Sequence, residues 1–171
     1  MKKTAATYIT FQNGEFAARR KNNLPDKTRS GRENRQNDRQ IESINAEKLL
    51  NYAHNAMKNA HSPYTGYISG AAILGADGVV YTGCYVENAD SAATICAECA
   101  AVAKAVSRGC REFFAIAVTA GRGGTAIPCK ICRKVLAEFS TDLTVIMETA
   151  DKKPILRKLY ELMPGTFCIK I

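Results

Sequence analysis

No stretch of about 18 consecutive apolar residues occurs in the sequence, so no segment reads as a membrane-spanning helix. The cysteines do not come in an even number: seven leave one over in any closed disulfide framework. Clustered cysteines outside such a framework more often bind metal or do chemistry in a reducing compartment. Histidine is scarce. Only His54 and His61 are present, neither within a partner motif, and both are read as surface or packing residues. No internal repeat is visible, and Arg122-Gly123-Gly124 lacks the strand-to-helix setting of a phosphate-binding loop. After Met1-Lys2-Lys3 the apolar stretch is cut short by Gln12-Asn13-Gly14-Glu15, too early for a secretory signal, so a cytoplasmic protein is expected.

What is present suffices for a core. Of 171 residues, 46% are hydrophobic and 23% charged, a globular composition with length for one domain and some to spare. The net charge of +8 is unevenly placed: residues 1–40 hold ten Lys/Arg against four Asp/Glu, and residues 41–171 hold fourteen against twelve. The basicity therefore belongs to the N-terminal segment. From Arg19 to Gln40 that segment has only Leu24 as a large aliphatic residue. It cannot bury enough apolar surface to offset its ordering entropy. Residues 1–44 are thus expected to form a basic, disordered extension, with a nucleic-acid-binding arm as the rival reading, and residues 45–171 the folded domain.

Within that domain helical and strand patterns alternate. Ala46 to Ala60 carries Leu49, Leu50, Ala53, Ala56, Met57 and Ala60 on one face of a helix, and Pro63 ends any continuation. Ile68–Leu74 and Val79–Val86 read as strands joined by the Asp77-Gly78 hairpin signal. A helix is expected from about Ile95 to Ser107, a strand over Phe113–Thr119, and a loop over Gly121–Ile127. Then come a helix from about Cys129 to Phe139, a strand over Leu143–Glu148, a short strand near Ile155 and a helix near Tyr160. This order implies an α/β fold, a mixed sheet with helices on its faces.

The chemistry lies in two short stretches at the starts of two of these helices. They are Cys96-Ala97-Glu98 and Pro128-Cys129-Lys130-Ile131-Cys132. Cysteines three apart at a helix start can point at one metal, and a third comes from the neighbouring helix start. Three thiolates leave the fourth tetrahedral position of Zn²⁺ open for water, as catalytic zinc sites require. Zinc acidifies that water, and Glu98, two residues after a ligand, is placed to shuttle protons without binding the metal. This is the residue pattern of zinc deaminases. Three thiolates around Zn²⁺ sum to −1, which weakens the metal as an acidifier. Two helix N-termini partly restore it, and Arg133, directly after the last ligand, is a candidate donor to thiolate sulfur.

From Ala46 to Phe167 the sequence resembles the cytidine deaminase family, in its small homotetrameric three-cysteine branch. The landmarks are Ser62-Pro63-Tyr64, Gly70-Ala71-Ala72, Gly83-Cys84, Val86-Glu87-Asn88-Ala89, Thr94 to Glu98, Lys104-Ala105-Val106, Pro128 to Arg133, and Leu162-Met163-Pro164 with Phe167. The resemblance implies a three-layer α/β/α sandwich on a mixed five-stranded sheet. It implies zinc on Cys96, Cys129 and Cys132, with Glu98 as general acid/base and the Ala97 N–H holding the base. Glu87 would bind the ribose 3′-hydroxyl, Tyr67 would line the base pocket where the family usually has Phe, and Phe167 would reach a neighbouring subunit's pocket. The implied reaction is hydrolysis of cytidine or deoxycytidine to the uridine product and ammonia, as in pyrimidine salvage.

Three positions depart from the family pattern. Tyr85 stands where the family has an Asn that pairs with Glu87 on the ribose, Cys99 replaces an Arg beside the metal, and Ile127 replaces a Ser. A phenol offers one hydroxyl where an amide offers two donors and an acceptor. A working deaminase with altered substrate preference is therefore expected, and a modified nucleoside or a nucleoside antibiotic such as blasticidin S is the first alternative. A second comes from Cys96-x-x-Cys99 and Cys129-x-x-Cys132. This spacing also suits a closed four-cysteine zinc site in a non-catalytic binding module. Action on RNA or DNA is a third, weaker reading.

Overall fold

The computed structural model describes residues 7–12, 15–20, 44–121 and 123–163. The chain divides into two compact units, Met1–Asn45 and Ala46–Ile171. In the first, β1 (Thr7–Gln12) pairs antiparallel with β2 (Glu15–Arg20), and β2 with the two residues of β3 (Ile44–Asn45). These strands lie within the segment expected to lack regular structure. Their cause is legible: β-favouring Tyr8, Ile9, Thr10 and Phe11 precede Asn13-Gly14, the strongest short-range hairpin signal, and Phe16 follows it. The remaining residues of that expectation, 21–43, lie outside the described residues.

The second unit is built on a five-stranded mixed sheet of β4 (Ser69–Gly75), β5 (Val80–Cys84), β6 (Phe113–Ala120), β7 (Thr144–Glu148) and β8 (Pro154–Lys158). Its order is β5-β4-β6-β7-β8, with β6 and β7 parallel and every other pair antiparallel. Three α-helices cover it: α1 (Ala46–Met57), α2 (Ala97–Ser107) and α3 (Lys130–Ala137).

Strand alternation assigns the layers. Ala71, Ile73, Ile116, Val118, Val145 and Met147 form one core with Ala97, Ala101 and Ala105 of α2 and Leu136 of α3. Gly70, on the opposite face of β4, lies against α1: a Cβ there would stand 2.1 Å from the Ala53 carbonyl oxygen. The sheet thus lies between α1 and the α2–α3 pair, the expected three-layer sandwich. Covered on both faces, β4 is buried along its whole length, which explains its unbroken run of apolar and small residues.

Several element ends fall a residue or two short of expectation, the Val79–Val86 strand closing at Cys84 and the helix expected to Phe139 at Ala137. The first helix closes at Met57 instead of Ala60, because the N–H groups of Asn59 and Ala60 turn back three residues to the Ala56 and Met57 carbonyls. The expected helix near Tyr160 is a single 3₁₀ turn, Leu159–Leu162. Its first two N–H groups, which no helix satisfies internally, donate across the fold, Leu159 to Leu143 and Tyr160 to Thr141.

Candidate active site

The starts of α2 and α3 carry the chemistry-bearing residues. Cys96 is the N-cap of α2 and Cys129 the N-cap of α3, both in extended backbone conformation. The Cys129 sulfur accepts the Cys132 backbone N–H at 3.4 Å, so the thiol does the capping work that Ser or Asp does elsewhere. The Sγ of Cys129 lies 4.0 Å from that of Cys96 and 3.4 Å from that of Cys132. All three sulfurs lie within 4.8 Å of one another, grading from exposed Cys129 to fully buried Cys132. Zinc–sulfur bonds of about 2.3 Å in a tetrahedron place sulfurs about 3.8 Å apart. The three thiols fit that ion with little movement. The Cys132 thiol, donating to Cys96, holds the Cys96 thiol down to about 7. Cys132 itself is pushed up, chiefly by its hydrogen bonds with Cys96 and Cys99.

Glu98 follows in the first turn of α2 and is 5% exposed. Burial pushes its carboxyl up, while a hydrogen bond with the Cys132 thiol acts the other way. A buried carboxyl beside the three thiols is placed both to take and to return a proton. Between Cys96 and Glu98, Ala97 is fully buried, pinned where β5 meets the helix start. Only a residue without a side chain fits there: a Cβ on Gly83 would stand 2.3 Å from the Ala97 carbonyl oxygen and 2.4 Å from the Ala101 nitrogen.

Two aromatic side chains face this centre. Tyr67 and Tyr85 meet edge to face, ring centroids 5.0 Å apart at 86°. Burial raises the Tyr67 hydroxyl above its ordinary range, a hydrogen bond with Ser69 opposes this, and the charges of Glu98, Cys96 and Tyr85 add to the rise. Tyr85 is raised by burial and then by Glu87 and Cys96. Glu87 is 7% exposed and holds the turn before Tyr67. Its Oε1 accepts from the Thr65 hydroxyl at 2.6 Å. Its Oε2 accepts from the Ser62 hydroxyl at 3.0 Å and from the N–H groups of Tyr64 and Thr65 at 2.8 and 3.2 Å. These donors, the Thr65 hydroxyl first, bring the carboxyl down to about 2.

Residues 43–148 match the family described as the cytidine and deoxycytidylate deaminase zinc-binding region. The chain belongs to this deaminase family. A cytidine deaminase of Sporosarcina psychrophila is 40% identical over 125 residues, 72% of this chain and 92% of that protein. The crystal structure of cytidine deaminase from Burkholderia pseudomallei superposes with a TM-score of 0.66 at 34% identity, over 70% of this chain and 96% of that one. That of Mycobacterium tuberculosis gives 0.62 at 38% identity, over 71% and 95%.

Within this deaminase fold the remaining expected residues are distributed as follows. Cys99 lies one turn into α2 with its Sγ 3.7 Å from that of Cys132, yet it stands outside the mutual cluster of Cys96, Cys129 and Cys132. Arg133 is half-buried in the first turn of α3, its N–H donating to the Cys129 carbonyl at 3.0 Å. Among the described residues, the hydrogen bonds at the cluster's sulfurs are with other thiols, the Glu98 carboxyl and the Cys132 N–H, not with the Arg133 guanidinium. Phe167 lies outside the described residues. Sequence reasoning assigned no role to Ser62 and Thr65, although Ser62-Pro63-Tyr64 was a visible landmark. It also missed Glu148, a 4%-exposed carboxylate at the end of β7 that binds Thr119 at 2.5 Å and His54 at 2.7 Å.

Proposed function

We propose that this chain is a zinc-dependent hydrolase that converts cytidine and deoxycytidine to their uridine products with release of ammonia. The observation that carries the reading is the buried Glu98 beside three thiols gathered at two helix N-termini. Cys96, Cys129 and Cys132 would hold the ion, and the fit of their sulfurs to a tetrahedral edge supports this. When bound, zinc supplies a Lewis acid that brings a water's pKa near neutrality. The helix N-termini offset part of the thiolate charge, and the Arg133 guanidinium, one residue from Cys132, would offset more. Glu98 would take the water's first proton and pass it to N3 of the cytosine ring, then take the second from the hydroxyl now on C4 and give it to the amino group that leaves as ammonia. The Ala97 N–H helps to hold the base, and Tyr67 forms the aromatic wall against it. Oε1 of Glu87 accepts from the Thr65 hydroxyl, and a carboxylate oxygen has capacity for a second donor such as a ribose 3′-hydroxyl. Tyr85 lies beside that carboxylate, and its phenol sets how the sugar is read.

The substrate is a free nucleoside, and the basic extension of residues 1–44 is an appendage with no nucleic acid in the reaction. The enzyme works in the cytoplasm. Among the described residues no helix is long and apolar enough to cross a membrane. Assembly as a homotetramer, with Phe167 completing a neighbour's pocket, is supported by exposed apolar residues close in sequence to the cysteines: Val86, Ile95, Ile127 and Ile131. The closed four-cysteine alternative loses ground to the position of Cys99 outside the mutual cluster.

Ammonia release from zinc-loaded protein given cytidine, deoxycytidine, adenosine and blasticidin S in parallel tests the reading. Turnover of cytidine or deoxycytidine is expected, reduced at least about 100-fold in Glu98→Gln at equal zinc content. Full turnover by that variant would remove Glu98 from the mechanism. Turnover of blasticidin S or adenosine alone would move the substrate.

A further inference from the structure

Cys99 is a thiol without a part in the reaction, and it sits against one that has a part. Its Sγ is 3.7 Å from Cys132 Sγ, in van der Waals contact. Closing to a disulfide of about 2.05 Å takes a movement of about 1.7 Å. Cys99 is half-buried, so a small solute reaches it, whereas Cys132 is fully buried behind it. In the zinc-loaded protein the sulfurs of Cys96, Cys129 and Cys132 would each give one electron pair to the metal, which weakens them as nucleophiles without removing their remaining pairs. Cys99 alone of the four is free of the metal and meets an electrophile first.

We propose that Cys99 and Cys132 form an oxidation site for hydroperoxides, whose disulfide removes Cys132 from the zinc and releases the ion. The inference rests on the reading of Cys96, Cys129 and Cys132 as zinc ligands. In the first step the Cys99 sulfur attacks the O–O bond of hydrogen peroxide, giving a sulfenic acid and one water. In the second, the Cys132 sulfur attacks the sulfenic sulfur, the S–S bond forms, and hydroxide leaves and takes up a proton as the second water. Two sulfurs together lose two electrons and the peroxide gains them. Zinc left on two thiolates is then lost, and a dithiol with added zinc reverses the change.

The sequence makes the bond easy to locate. Lys130 lies between Cys129 and Cys132, and Glu98 between Cys96 and Cys99, so combined cleavage after Lys/Arg and after Glu puts each of the four cysteines on its own peptide. Zinc-loaded protein would be treated with hydrogen peroxide, zinc release followed with a chromogenic chelator, and the peptides mapped by mass spectrometry. The expected result is a Cys99–Cys132 disulfide appearing at the rate of zinc release, with release slowed about tenfold in Cys99→Ser and in Cys99→Ala. Release at the wild-type rate in both variants would overturn the proposal, as would a mapped Cys129–Cys132 bond. A chain that takes up no zinc at all would overturn the zinc reading itself, and this is seen before peroxide is added. None of these readouts depends on turnover.

Discussion

Glu87 shows how one side chain can be placed by partners far from it in the sequence. Four donors from Ser62, Tyr64 and Thr65 stabilise its charged form, and its carboxyl falls from 4.5 to about 2. A carboxylate depressed on folding adds stability that is present above the unfolded value of 4.5 and is lost as pH falls through about 2. Glu87→Gln is expected to lower the melting temperature at pH 7, with the gap to wild type narrowing steadily between pH 4.5 and pH 2. A gap unchanged over that range would mean that the carboxylate's charge does not matter to the fold. That Cys96, Cys129 and Cys132 come together was legible, because cysteines at the starts of two neighbouring helices can meet at one point. The Glu87 clamp was not legible, since its partners lie 22 to 25 residues earlier and a Ser-Pro-Tyr-Thr turn suits many purposes. Nor was the Glu148–His54 pair, 94 positions apart, visible to any local pattern.

The elements were read from periodicity and punctuation, and these work where local preference and tertiary packing agree. The Asp77-Gly78 hairpin and the apolar stripe of α1 are such places. The Leu159–Leu162 turn is the counter-example: its first N–H groups are anchored on carbonyls in the loop before β7, a long-range contact that no local signal reports. Close approach of helix to sheet is a further element-level feature, fixed by Gly70 for α1 and by Gly83 for α2. Gly70→Ala and Gly83→Ala force a Cβ against backbone atoms and are each expected to cost about 1–3 kcal/mol in urea unfolding. Their effects on activity should differ. Gly83→Ala displaces the start of α2, which carries Cys96 and Glu98, so kcat should fall and zinc affinity weaken. Gly70→Ala acts on the opposite face and should leave kcat of the folded enzyme near wild type. Equal losses of kcat in both variants would contradict this division of the layers.

At the scale of the whole molecule the composition is misleading until it is divided. The charge of +8 sits largely in residues 1–40, while the catalytic unit is close to neutral and matches its relatives over about 70% of the chain. The hairpin of β1 and β2 was missed because the Asn13-Gly14 break was weighed only as an interruption of an apolar stretch. Folding and chemistry are coupled in the catalytic unit through the cysteine cluster, where the N-caps of α2 and α3 meet. One ion held there would tie together two helices that already share a core, so metal affinity and stability should rise and fall together. The measurement that tests this most directly is stepwise removal of zinc by a chelator and its stoichiometric return, following melting temperature and cytidine turnover on the same samples. Both should fall together on removal and return together at one zinc per chain. Turnover that survives complete removal of the metal would contradict the account.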